Sequence, residues 1–397
     1  MFSSRLDWDL RPNRLSALVE AKRRAGVAIL DLTESNPTRA GFLYPAAEIL
    51  ASLADARSMV YEPAPAGAWQ AREAVATYYA ARGQAIEPER ILLTASTSEA
   101  YAHLFKLLAG PGDEVLAPRP SYPLFEFLAA LESVRVVEYP LVYHGGWWLD
   151  TEALARALTV RTRAVIVVHP NNPTGSFLKR HELERLVPLC AGRSLAIISD
   201  EVFADYAFGP DPGRVATLAG VDEALTFTLS GLSKIAGLPQ MKLGWIVVGG
   251  PPGARAQALE RLELIADTYL SVGTPVQHAL PRLLAAGAGV RGQIAARVRE
   301  NLDCLRTTIG SASACGVLEV EGGWYATLRV PRTWSEEEWA LELLDKDNVL
   351  VQPGFFYDFE CEAFLVLSLL TPTESFSEGV RRLLGRVHSG PRFPSQT

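Results

Sequence analysis

Lysine is scarce in this chain of 397 residues: there are six, Lys22, Lys106, Lys179, Lys234, Lys242 and Lys346, in a composition otherwise rich in arginine. Cysteine (four) and methionine (three) are scarcer still. Cys190, Cys304, Cys315 and Cys361 are scattered without metal-type spacing, so free thiols in a reducing compartment are expected. The six histidines are dispersed and His181–Glu182 opens no His-Glu-x-x-His pattern, which argues against a metal site. No apolar run reaches the ~18 residues of a membrane span. The opening "MFSSRLDWDLRPNRL" carries charges where a signal peptide needs an apolar core. A cytoplasmic setting without a membrane partner is expected. Basic residues do not cluster and the net charge is −7, so no nucleic-acid footprint is present and small molecules are the expected ligands.

What is there is apolar: 48% hydrophobic residues, enough for two cores in a chain of this length. Between about residues 68 and 250, short β-branched runs alternate with helix-length amphipathic stretches, the pattern of crossover units on a mostly parallel sheet. The runs are "ILLTAS" (91–96), "DEVLAP" (113–118), "AVIVVHP" (164–170), "SLAIISD" (194–200), "ALTFTLS" (224–230) and "LGWIVVG" (243–249). After "GGPPG" a long helix is expected over roughly 254–309, then a closing α+β stretch. The fold class is therefore α/β, with a large domain over 46–285 and a smaller one built from 1–45 and 286–397. Gly287, Gly289 and Gly292 spell G-x-G-x-x-G, but a helical pattern precedes them where a dinucleotide fingerprint needs a strand, so the match is set aside.

In an open parallel sheet, ligands bind beyond the carboxyl ends of the strands. Polar residues stand at those ends here: Ser96, Thr97 and Ser98 at a helix start, Asn172 within "HPNNPTG", Asp200, and Lys234 in "SGLSK". A helix start with free N–H groups and hydroxyls suits a phosphate, although Thr97 or Ser98 could equally be capping its own helix. Asp200 ends an apolar strand and calls for a cationic partner. Asn172 sits in a turn stiffened by proline and glycine. A lysine at a buried strand end is a Schiff-base former when its ammonium is neutralised or consumed. Phosphate site, carboxylate, amide and lysine together describe a pocket for pyridoxal 5'-phosphate.

With "YEPAPAG" and "PSYPLFE" upstream of "NNPTG", "SDEVF", "SGLSK" and "MKLGW", the chain resembles the class I and II aminotransferases, fold-type I pyridoxal phosphate enzymes. The resemblance implies an aspartate aminotransferase-like fold, a large domain around a sheet of seven-stranded type, and a homodimer with shared active sites. It implies a ping-pong exchange of an amino group between a small-molecule donor and a 2-oxo acid through a Schiff base on Lys234. Asp200 would pair with the ring nitrogen, Asn172 would bond the phenolic oxygen and Tyr122 would stack on the ring. Thr97, Ser98, Ser233 and Lys242 would hold the phosphate, with Tyr61 reaching it from the neighbouring subunit.

Three positions depart from the family pattern. Lys242 stands where an arginine usually grips the phosphate, and a lysine lacks the bidentate fork. Phe203 stands where a tyrosine usually shares the phenolic oxygen, with Tyr206 as a candidate replacement. Val366 stands where an arginine usually holds the substrate carboxylate; Arg329 in "YATLRV" is the conceivable substitute, although a surface role suits it better. These departures leave open another pyridoxal phosphate reaction on the same fold, such as β-elimination, decarboxylation or cyclisation, and a non-catalytic cofactor-binding protein.

Overall fold

The computed structural model describes residues 2–310, 313–361 and 363–389. An N-terminal arm carries α1 (Arg14–Arg24) and β1 (Leu30–Asp31), followed by α2 (Ala46–Leu53) and α3 (Trp69–Ala80). The large sheet then forms from β2 (Ile91–Thr94), β3 (Glu114–Arg119), β4 (Arg135–Tyr143), β5 (Trp147–Leu149), β6 (Thr162–Val168), β7 (Ala196–Asp200), β8 (Thr226–Gly231) and β9 (Gly244–Gly249). Its order is β2-β9-β8-β7-β6-β3-β4-β5. The central pairs from β8 across to β4 are parallel, and only β9 and the edge strand β5 run against their neighbours. Seven strands are thus extended at one edge by a three-residue eighth.

Helices α4 (Thr97–Leu108), α5 (Leu124–Leu131), α6 (Thr151–Ala157), α7 (Arg180–Gly192), the short α8 (Leu232–Ile235) and α9 (Pro252–Tyr269) connect and cover these strands. Alternation along the strands explains the two-sided cover: Ile166, Ile198 and Phe227 pack with Leu104 of α4 and Leu262 of α9. Val165, Val167 and Ile197 face the other way, onto Leu186 and Cys190 of α7. Both faces are buried, as a parallel sheet requires.

The stretch expected as one helix over 254–309 is two: α9 and α10 (Thr274–Ile309). Leu270 closes α9 in the left-handed conformation, at φ 44°, and Pro275 opens α10 at a position where no helical N–H bond is lost. The first half of α10 (Val276, Ala279, Leu280, Leu283) packs with Trp245 and Leu232, whereas Val290 to Ile309 pack in a second core with the C-terminal elements. Those are β10 (Gly316–Val317), β11 (Tyr325–Arg329), α11 (Glu336–Asp347), β12 (Val349–Leu350), β13 (Gln352–Pro353), β14 (Phe364–Ser368) and α12 (Thr373–Ser389). They form a four-stranded sheet, β10-β11-β14-β13, while β12 pairs with β1 of the arm. Among the described residues no helix is long and apolar enough to cross a membrane.

The three glycines of the G-x-G-x-x-G match all lie inside α10, so no phosphate-binding turn exists there. Gly287 has a packing reason instead. A Cβ on it would lie 2.4 Å from Ala236 Cβ and 2.8 Å from Ala236 Cα, at the end of α8. Gly287→Ala therefore forces α10 away from the turn that carries Lys234. The expected cost is roughly 1–3 kcal/mol, read as a lower melting temperature by calorimetry; an unchanged melting temperature would contradict the packing argument.

Candidate active site

A crevice of about 450 Å³ opens at the carboxyl edge of the large sheet. Of the residues singled out in the sequence, Thr97, Ser98, Tyr122, Asn172, Asp200, Ser233, Lys234 and Lys242 all line it. Tyr61 does not. It is largely exposed and lines a separate recess of about 250 Å³ with Pro63 and Gln277.

Local structure frees the polar groups at the first strand end. Ser96 is the N-cap of α4, its hydroxyl accepting from the Glu99 N–H at 3.1 Å. Neither Thr97 nor Ser98 is needed as a cap, and both line the crevice at the helix N-terminus. Gly231 of β8 pairs in register with Gly244 of β9. A Cβ on Gly231 would sit 2.8 Å from Gly244 Cα, and one on Gly244 would sit 3.0 Å from Ser230 O. Two bare glycines thus let the strands and the Ser96 turn close up on the crevice floor. Asn171 ties the "NNPTG" turn together by accepting from the Thr174 hydroxyl at 3.0 Å and from the Gly175 N–H, through its backbone carbonyl, at 2.8 Å. The neighbouring Asn172 is left with a buried Oδ1 that has no partner.

Asp200 ends β7 and Lys234 follows β8, the strand beside it. Burial pushes the Asp200 carboxyl up to about 6, against the lowering effects of the Val202 N–H, the Tyr101 hydroxyl and Lys234. Tyr101 donates to Asp200 Oδ2 at 3.1 Å. Burial pulls the Lys234 ammonium down to about 8, opposed by Asp200. The ammonium lies over Trp324, 4.9 Å from the ring centroid, and 5.6 Å from that of Phe203. The backbone behind it is fixed by the Tyr206 hydroxyl, which donates to Lys234 O at 2.6 Å, and by the Tyr44 hydroxyl, which donates to Gly237 O at 2.7 Å. Tyr206 is thereby spent on the main chain and does not line the crevice, which removes it as the replacement for the tyrosine missing at 203.

The opposite wall comes from Ser35 of the arm and from Tyr325, Gln352 and Tyr357 of the C-terminal sheet and its loop. The sequence reading had no role for Tyr101, Trp324, Tyr325, Gln352 or Tyr357. A signal existed for Tyr101, which lies four residues after Thr97 and so on the same helix face. Arg329 is exposed at the end of β11, beside Gly316, and lies outside the crevice, in keeping with a surface role.

Comparison with known proteins places this architecture. The family model described as "Aminotransferase class I and II" matches residues 29–383. The chain belongs to the class I and II aminotransferases. It is 30% identical to the glutamate-pyruvate aminotransferase AlaA of Escherichia coli K12 over 71% of this chain and 70% of that protein. It is 27% identical to the alanine aminotransferase of Mycobacterium tuberculosis over 90% of this chain and 85% of that one. The fold is that of the alanine aminotransferase structure from Pyrococcus furiosus, with a TM-score of 0.88 at 22% identity, covering 98% of this chain and all of that one (100%). As a class I and II aminotransferase, the chain is a pyridoxal phosphate-dependent transferase with the aspartate aminotransferase-like fold.

The two shifted groups give this aminotransferase a pH signature when free of cofactor. For Asp200 the folded value is raised from 3.8 to about 6, so its cost is absent below about pH 4, grows as the pH rises to about 6 and persists above. For Lys234 the folded value is lowered from 10.5 to about 8, so its cost is absent above about pH 10.5, grows as the pH falls to about 8 and persists below. Both costs are present between. Asp200→Asn should therefore raise the melting temperature of the cofactor-free protein by roughly 2–4 °C at pH 7 and much less at pH 4. Equal shifts at both pH values, measured by scanning calorimetry, would contradict the assignment.

Proposed function

We propose that this aminotransferase holds pyridoxal 5'-phosphate in the crevice with Lys234 as the covalently bound lysine, and exchanges amino groups between a small amino acid and a 2-oxo acid taken in turn at one site. The observation that carries the reading is the meeting of a buried carboxylate and a buried amine with an uncommitted amide and two uncommitted hydroxyls. The group fits what is there. The Asn172 Nδ2 makes no hydrogen bond to another described residue and can donate to the phenolic oxygen. Thr97, Ser98, Ser233 and Lys242 offer hydroxyls and a point charge for the phosphate at the start of α4. Asp200, costly when ionised alone, gains a partner in a protonated ring nitrogen. Tyr122, 46% exposed at the crevice mouth, is free to cover a ring face.

Bound pyridoxal phosphate supplies an aldehyde that captures the amine and a ring that withdraws electrons from the reacting carbon. The chain's own contributions follow from the geometry. Asp200, kept in place by Tyr101 and the Val202 N–H, holds the proton on the ring nitrogen. Lys234, neutral more readily than an exposed lysine, is the base that takes and returns the proton at the substrate carbon. Trp324 and Phe203 exclude water around its Nζ.

The relatives named alanine and glutamate-pyruvate aminotransferase support alanine and glutamate as donors and pyruvate as acceptor. The reading includes the division at 46–285 from the smaller domain, since the two halves of α10 pack in different cores on either side of that point. It also includes a homodimer in which Tyr61, exposed and not lining its own crevice, reaches the partner's phosphate.

Lys234→Ala tests the reading: visible cofactor absorbance and transfer from alanine to a 2-oxo acid should both disappear, and a fully active variant would refute it. Phe203→Tyr tests the electronics of the site. An added phenolic donor to the cofactor's phenolate should lower the pH at which the visible band changes by about one unit or more, the scale of one hydrogen bond to a charged acceptor. A band that titrates at the same pH would place residue 203 away from that oxygen.

A further inference from the structure

Strand pairing sets one row of side chains on the C-terminal wall of the crevice. Thr327 of β11 stands opposite Val366 of β14, and Val366 opposite Gln352 of β13. Residues directly opposite across antiparallel strands project to the same face. That is the face on which Gln352 and Tyr325 reach the crevice, with Val366 buried behind them. Among the described residues no arginine lines the crevice, and its two cations are Lys234 and Lys242, the pair that the proposed function assigns to the cofactor. Glu34 adds a negative charge toward Tyr325.

What occupies this end is neutral and directional. Tyr357 donates its hydroxyl to Gln352 Oε1. The contact orients the amide and leaves the two N–H donors of Nε2 without a protein acceptor among the described residues. Burial pushes the phenols of Tyr325 and Tyr357 well above their ordinary range, so both remain neutral hydroxyls at any working pH. A neutral N–H donor bonds an ionised carboxylate oxygen more strongly than an amide oxygen, by about a factor of two, but it lacks the charge and the bidentate fork with which a guanidinium selects a carboxylate.

We propose that Gln352, its oxygen held by Tyr357, receives the carboxyl end of the substrate through neutral N–H donors, so that the enzyme takes uncharged α-amino carboxamides as well as α-amino acids. The inference rests on the placement of cofactor and lysine given above. A cation on this wall would penalise a neutral analogue by losing its counter-charge, and among the described residues the wall has no cation.

The test uses the holoenzyme with L-alanine and L-alaninamide, following the cofactor's absorbance through a single half-reaction. In each case the nitrogen passes to the cofactor and water supplies the new carbonyl oxygen, giving pyruvate or 2-oxopropanamide. The expected ratio of kcat/KM for the two donors lies within about tenfold. Calorimetric titration of the unreactive 2-methylalanine and its amide should give Kd values within the same range. Gln352→Glu, which places a negative charge at the proposed contact, should weaken the two carboxylates by about a hundredfold relative to their amides while the cofactor absorbance is retained. Gln352→Met should raise KM for both donors alike.

A preference of the wild type for the carboxylates larger than about tenfold in both measurements, as a cation reaching in from another subunit would produce, overturns the inference. So does a ratio left unmoved by Gln352→Glu. No half-reaction with either donor, together with no bound-cofactor absorbance, contradicts the underlying site reading and the inference with it. Turnover of alanine alone contradicts only the inference.

Discussion

Asp200 and Lys234 share one crevice because β7 and β8 run side by side in parallel, with Asp200 opposite Leu229 and Lys234 a short turn beyond Gly231. The constraint on which the rest depends is that both charges are held out of water. Each is shifted by burial in the direction that disfavours its charged form, and each is the other's partial remedy. Neighbouring groups keep them there. Tyr101 and the Val202 N–H hold the carboxylate, Trp324 and Phe203 flank the ammonium, and Tyr206 and Tyr44 pin the turn from behind. Under the proposed function, the cofactor's cationic ring nitrogen and phosphate offset those costs.

The second constraint is that the crevice is shared between two layers of the molecule. Its floor is the carboxyl edge of the large sheet, while its opposite wall comes from the arm and the C-terminal sheet. Backbone contacts join them: the Ser121 N–H donates to Tyr357 O at 3.0 Å, and Gly175 approaches Gly322 so closely that a Cβ would lie 2.5 Å from its carbonyl oxygen. The two layers are therefore fixed to each other where the crevice forms, and Trp324 of the C-terminal part reaches the Lys234 ammonium on the floor.

The part of the site that follows local rules was legible in the sequence. Asn172, Asp200 and Lys234 each follow an apolar β-branched run, and Thr97 and Ser98 open a helix, so topology alone brings them to one edge. The capping question could not be decided from residue type, because Ser96, Thr97 and Ser98 are all good caps; only the backbone shows that Ser96 does it. Tyr206 and the C-terminal wall depend on contacts between segments far apart in the chain. The Tyr206 hydroxyl is claimed by a carbonyl 28 residues away, and Gln352 acquires meaning only from its register with Val366 and its contact with Tyr357. β4 was missed because Pro140 interrupts an otherwise strand-like run, β5 has only three residues, and the helix expected over 254–309 breaks at Leu270, a residue with no turn preference of its own.

The central claim is that one of six lysines carries the cofactor. Its most direct measurement is borohydride reduction of the holoenzyme followed by proteolysis and mass mapping of the pyridoxyl group. The account predicts the label on the peptide containing Lys234 and on no other. A label on Lys242, on any other lysine, or no label at all would contradict it.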